Sequence, residues 1–326
     1  MTTLHSLVRS RKVQIAFNVA LGVGLLGVSG VSVKHLMRKG WPLHHADPIL
    51  VGAAVVLFLI AYAFKAWGWQ RLFAEHERPA AGALAAAGGA ACFGGIALPG
   101  RLDDALRMAV VKRYPGTRAG FGAVGLSLVV LGMLDNAALT PLASVAAADA
   151  QKWTMRVGFL VVAVAGVAAA VVVAYLPRIA GSRRLARFRI AHWVKEHTHC
   201  TKEAWAAWIL ISVSWALRGT AIFLLLNALA MGRATFPLAL AFLCASAASA
   251  AIPVGPAGAA AQVGAGAALL MASGVSKADA VAFSLAAQAI VVVTGAAVVL
   301  LIAAWHLATH VHTRARTRLA LARARA

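Results

Sequence analysis

The sequence predicts an all-α polytopic membrane protein, and three observations carry that prediction. Apolar runs of about 20 residues recur along the whole chain, each long enough for a helix to cross a bilayer. Only 13% of the 326 residues are charged, where a soluble domain would carry about a quarter. The alternating strand pattern of an outer-membrane barrel is absent.

The full spans are expected at about 13–33, 49–72, 118–143, 154–177, 204–230 and 280–306. The first follows Arg9, Arg11 and Lys12 and is too long for a signal-peptide core, so it reads as a retained transmembrane helix. Two further segments differ from the rest. Residues 80–100 (AAGALAAAGGAACFGGIALPG) are almost all Ala and Gly, and residues 236–274 are similarly small and contain AIPVGPAG. Small residues allow close helix packing and suit positions buried in protein. Pro and Gly within such runs break a helix.

Charge decides how these two segments sit. If the N-terminus is cytoplasmic and both odd segments return to the side they entered, most of the 31 Lys and Arg fall on the cytoplasmic side. Six remain outside, Lys34, Arg38, Lys39, Lys152, Arg156 and Arg233, and Lys65, Arg218 and Lys277 are assigned to neither side. A full crossing by 80–100 would turn the basic loop 178–202 outward, against the positive-inside rule. The prediction is therefore about six full spans and two re-entrant hairpins, at about 80–113 and 236–274. The first turns at Pro99 and Gly100, the second at Pro253, Gly255, Pro256 and Gly258. The hairpins enter from opposite sides, as in an inverted-repeat transporter. The chain is expected to form one integral membrane domain, 1–326, with candidate repeat halves at about 49–145 and 204–306. A basic cytoplasmic loop (about 178–203) and a basic cytoplasmic tail (307–326) would anchor it to anionic lipid.

The net charge of +21 does not point to nucleic acid, because the basic residues flank apolar segments instead of forming one face. Three cysteines, Cys92, Cys200 and Cys244, do not make a disulfide framework, since two lie in apolar segments. GVGLLG (22–27) fits a dinucleotide fingerprint in letters only, with no preceding strand. His197, His199 and Cys200 lie in a predominantly basic loop with little carboxylate support, so a solvated loop is favoured over a metal site. No nucleophile elbow, kinase or P-loop signature is present. The expectation is no catalytic residue, no metal and no cofactor.

Chemistry concentrates after the first turn. A half-helix that begins at membrane depth presents unpaired N–H groups and a positive dipole end, which attracts anions. Arg101, Asp103, Asp104 and Arg107 follow Pro99 and Gly100 there. Arginine grips phosphate with a bidentate fork, so Arg101 and Arg107 are candidate phosphate ligands. The competing reading is an amphipathic helix at the cytoplasmic interface with snorkelling arginines. Asp135 is the one acidic residue deep in an apolar run, and Arg218 lies near the middle of another. Charges there are costly and usually functional or paired. Either the two form an ion pair, or Arg218 holds a lipid phosphate. Asp135 could instead be hydrated near the outer interface.

Pro99-Gly-Arg101-Leu-Asp103-Asp104-Ala-Leu-Arg107 resembles the first motif of the lysylphosphatidylglycerol synthase transmembrane-region family, with Asp103 where Gly is usual. Asp135 matches the family's aspartate in the following span; the Glu-Arg that commonly precedes it is replaced by apolar residues around Leu131 and Gly132. Pro253 to Gln262, Gly274-Val275 and Gln288 resemble the second motif, with Gln262 in place of Glu and Gln288 in place of Arg. A hydrogen bond between the two amides would keep that contact without buried charge.

The resemblance implies lipid handling: a flippase-like transporter of the bacterial cytoplasmic (inner) membrane, both termini cytoplasmic, that is not itself an enzyme. It would bind a polar or anionic lipid headgroup through Arg101, Arg107, Arg218 and Asp135 between the two hairpins. The alternative is an accessory subunit of a lipid-modifying or lipid-linked glycan enzyme. Its partners would be membrane lipids, and a second copy or a lipid enzyme.

Overall fold

The computed structural model describes residues 46–97, 102–150, 152–180, 201–230, 234–251 and 258–323. Contacts divide the chain into residues 1–45, which lie outside the described residues together with the expected span 13–33, and a unit from Ala46 to Ala326. The described part of that unit holds nine α-helices, and no strand is found among the described residues: α1 Pro48–Gln70, α2 Ala81–Ala97, α3 Leu102–Arg113, α4 Phe121–Asp149, α5 Trp153–Ala180, α6 Thr201–Ala228, α7 Phe236–Ala251, α8 Gly258–Ala272 and α9 Lys277–Arg323. Five of them contain stretches long and apolar enough to cross a membrane, in α1, α4, α5, α6 and α9. The protein is a polytopic helical membrane protein.

Local signals fix the helix ends. Asp47 caps α1, its carboxylate accepting from the Ile49 N–H at 2.8 Å, with Pro48 in the first turn where no N–H is needed. At the end of α8, Val275 N–H donates to Leu270 and Gly274 N–H to Met271, both at 3.0 Å. Gly274 has φ +89°, so this is the left-handed stop for which glycine is selected. Ser276 then caps α9, accepting from Asp279 N–H at 3.2 Å while its hydroxyl donates to the Asp279 carboxylate at 2.7 Å.

Helices α1 and α6 form an extensively packed antiparallel pair. Asp47 N–H donates to the Ala228 carbonyl at 3.0 Å, Ser214 Oγ to the Ala61 carbonyl at 2.8 Å, and Arg71 meets Glu203 at 3.1 Å. These contacts step down α1 while stepping up α6. Gly68 lets the two helices approach, because a Cβ there would lie 2.7 Å from Ile211 Cγ1.

Both odd segments return to the side they left. Trp69 Nε1 donates to Ser127 near the start of α4, and Lys65 meets Asp135 farther along. Helices α1 and α4 are therefore antiparallel, and the chain between them re-emerges where it entered. Within it, α2 packs on α3, and Tyr114 OH beyond the end of α3 lies 2.9 Å from where a Gly82 Cβ would be. Desolvation at that spot raises the Tyr114 phenol pKa above its usual value. In the second segment α7 packs on α8, and Pro237 and Gly274, from its two ends, line one cleft. The turns themselves, with Pro99, Gly100, Pro253, Gly255 and Pro256, lie outside the described residues; Gly258 opens α8.

The same order of elements occurs twice, as α1, α2–α3, α4 and as α6, α7–α8, α9. Ala81 and Phe236, Leu102 and Gly258, and Phe121 and Lys277 begin matching helices at separations of 155, 156 and 156 residues. Packing is reciprocal, with α2 against α9 and α7 against α4.

Small residues hold these contacts. A Cβ on Gly89 would lie 2.5 Å from the Gly295 carbonyl oxygen, so α2 and α9 touch backbone to backbone. Gly89→Val is expected to cost about 1–3 kcal/mol by overpacking, read as a lowered unfolding midpoint in detergent. At Gly52 an added Cβ would meet nothing within 4 Å, so this position should accept alanine without loss.

Candidate functional site

Where the two halves meet, five helices enclose a cavity of about 80 Å³. Helix α1 contributes Tyr62 and Lys65, α2 contributes Cys92, α3 Arg107, α4 Leu131 and α6 Arg218. Three cations thus face one small space inside a membrane bundle, where each unpaired charge is costly.

Two of the three are paired. Lys65 Nζ lies 2.8 Å from Asp135 Oδ2, with both side chains about one-fifth exposed. Trp215 Nε1 donates to the other carboxylate oxygen at 2.9 Å. The Lys65 ammonium also lies 5.5 Å from the Trp215 ring centroid, inside cation–π range. Arg107 bonds Asp104 at 2.8 Å and approaches Asp103 at 3.5 Å, one turn back on its own helix.

Arg218 is held differently. Its guanidinium lies 5.4 Å from the Tyr62 ring centroid and 5.3 Å from that of Trp215. Among the described residues no carboxylate reaches it, and its buried Nε has no hydrogen-bond partner. Two aromatic faces thus position a cation that lines the cavity and has no carboxylate partner among the described residues. The Tyr62 hydroxyl, by contrast, is already engaged with Cys92 Sγ at 2.7 Å.

Of the sequence-predicted residues, the structure brings Arg107 and Arg218 to one cavity, with Asp135 beside it. Arg101 lies outside the described residues. The expected Asp135–Arg218 pair is not formed: Lys65 takes that place, because α1 brings its lone lysine to the carboxylate while Arg218 turns its guanidinium onto two rings. Gln262 and Gln288 lie on α8 and α9, and no hydrogen bond joins their side chains, so the expected amide contact is absent. Tyr62, Lys65, Cys92 and Trp215 are additions. Lys65 carried a signal in the sequence, as the one charge inside the run 49–70; the other three carried none.

A larger cleft of about 510 Å³ lies where α4 and α8 end and α5 and α7 begin, with Asp149 and Lys152 on its rim. Both are exposed, and no charges converge inside it. No group of three or more potential metal ligands occurs among the described residues.

Removing the Trp215 donor tests the assembly. Trp215→Phe keeps an aromatic face under Arg218 but leaves Asp135 Oδ1 unsatisfied. The expected cost is about 1–3 kcal/mol, seen as a lower unfolding midpoint with the helical circular-dichroism signal unchanged.

Spans, paired hairpins and a small cavity lined by three cations define a polytopic helical membrane protein with charged residues inside its bundle. The chain belongs to the lysylphosphatidylglycerol synthase transmembrane-region family, whose profile matches residues 13–301. No curated protein and no solved structure matches it. The family is a membrane domain linked to lipid-related functions.

Proposed function

We propose that the protein is a flippase-like lipid transporter of the bacterial cytoplasmic membrane, with no catalytic chemistry of its own. The observation that carries this reading is Arg218, an arginine with no carboxylate partner among the described residues, which lines a small cavity among membrane-spanning helices. A cation fixed in that way awaits an anion, and in a bilayer the abundant anion is a headgroup phosphate. Arg107 faces the same space from the first hairpin. Asp135 fixes Lys65 and Trp215 around it. The acyl chains would remain in the surrounding bilayer.

The antiparallel α1/α6 pair and the twice-repeated order of helices support an inverted repeat whose hairpins enter from opposite faces, with the headgroup held beside the first hairpin, against α1, α4 and α6, and not between the two hairpins, where the sequence predicts it. The basic segments support cytoplasmic termini.

The test is reconstitution. Purified protein in liposomes should move a fluorescent phospholipid between leaflets, so that more than half of the label becomes accessible to a membrane-impermeant quencher. Protein-free vesicles should stay near half. No movement with pure protein, together with loss of a lipid enzyme's activity when the chain is deleted from cells, would overturn transport in favour of the accessory role.

A further inference from the structure

The same site constrains which headgroup it can take, an inference that rests on the reading above. Three cations face the cavity. Asp135 neutralises Lys65, and Asp103 and Asp104 neutralise Arg107. Arg218 is therefore the one cavity-lining cation among the described residues that no carboxylate already holds.

Size narrows the choice further. At about 80 Å³ the cavity is far below the roughly 300–1,000 Å³ of a pocket that swallows a whole small molecule. A single water needs about 10–15 Å³ of such space, so there is room for one tetrahedral oxyanion, and a whole headgroup would extend out of the cavity. The walls add little recognition. Leu84, Ala85, Gly88 and Leu131 are apolar or bare, the Tyr62 hydroxyl and Cys92 thiol are bonded to each other, and Trp69 Nε1 is committed to Ser127.

We infer that the cavity is a phosphodiester site: Arg218 takes the single negative charge of a glycerophospholipid phosphate, and the head alcohol stays outside without being recognised. A phosphomonoester headgroup carries up to a second charge near neutral pH. Meeting it would require Arg107 to leave its two carboxylates, so such a lipid binds less well.

The experiment measures binding of short-chain lipids with identical acyl chains to the full-length protein in a non-ionic detergent. The panel is phosphatidylglycerol, phosphatidylcholine, phosphatidic acid and diacylglycerol, with inorganic phosphate as competitor. The two diesters should agree within about threefold in Kd, because the arginine contact is common to both. Phosphatidic acid should bind several-fold more weakly, and diacylglycerol should not bind. Millimolar inorganic phosphate should displace neither diester. Arg218→Lys, which keeps the charge but loses the planar fork and its stacking, should weaken both diesters alike, by about tenfold.

Affinities that follow the head alcohol, tightest binding of phosphatidic acid, binding of diacylglycerol, or displacement by inorganic phosphate would each overturn the assignment. The panel is read on unaltered protein, so it stands even if the variant fails to fold. Transport in liposomes without a diester preference would sink this inference alone; a diester preference without transport would sink the transport reading alone.

Discussion

Arg218→Gln is expected to abolish lipid movement in liposomes while leaving the protein folded. The substitution keeps a polar side chain of similar length, so the bundle around it should hold. It removes the charge and the fork that would hold the phosphate. A hydrogen bond to a charged partner contributes about 1.5–3 kcal/mol, and a bidentate arginine contact makes two. Loss of both corresponds to a fall of at least about 100-fold in affinity for the phosphate. The transport rate should fall to that of protein-free vesicles. Elution as a single species on size exclusion, with the wild-type unfolding midpoint within a few degrees, would separate lost binding from lost folding. Removing one unpaired cation from a membrane interior also relieves a desolvation cost, which works against any loss of stability. A variant with wild-type rates would exclude Arg218 from the site.

The second large effect concerns stability. Lys65 and Asp135 are mostly buried and 2.8 Å apart, and their bond ties α1 to α4. Lys65→Met leaves Asp135 with the indole donor of Trp215 alone. Breaking one half of such a pair costs about 3–5 kcal/mol, enough to lower the yield of folded protein sharply. Replacing both partners with apolar residues of similar size is often neutral. Lys65→Met with Asp135→Leu should therefore recover most of the stability that either single change loses. The midpoints of the four proteins form a double-mutant cycle. If the double variant is as unstable as the sum of the singles, the pair does not act as a unit. Charges at the bundle edge should behave differently. Arg71 and Glu203 meet at 3.1 Å, but Arg71 is 44% exposed, so Glu203→Gln should change the midpoint little.

Much of the fold was legible because bilayer constraints are written locally. The hairpins expected at 80–113 and 236–274 appear as α2–α3 and α7–α8, ending at Arg113 and Ala272. Runs of Ala and Gly marked helices that pack closely, as Gly89 against Gly295 shows. The last helix begins at Lys277, slightly before its apolar run at 280, since Ser276 and Asp279 set its cap and hydropathy does not register capping.

The site was only partly legible, and the reason is packing. Asp135 and Arg218 were conspicuous as charges inside apolar runs. Which cation meets Asp135 depends on how α1, α4 and α6 rotate against one another, and its partner Lys65 is 70 residues away along the chain. A lone lysine and a lone arginine in different spans are equivalent on paper. Tyr62 and Trp215 resemble the many aromatic residues that sit at membrane interfaces; only the fold shows that they flank one guanidinium. The absent Gln262–Gln288 bond has the same origin, since a motif lists residues and does not fix their rotamers.

The most direct test is an experimental density map of the protein reconstituted in phospholipid nanodiscs. The phosphate of a bound lipid should lie within hydrogen-bond reach of Arg218, at about 3 Å, in the cavity bounded by Tyr62, Lys65, Arg107 and Leu131. Lipid phosphates confined to the two bilayer surfaces, with the Arg218 cavity empty of them, would contradict it.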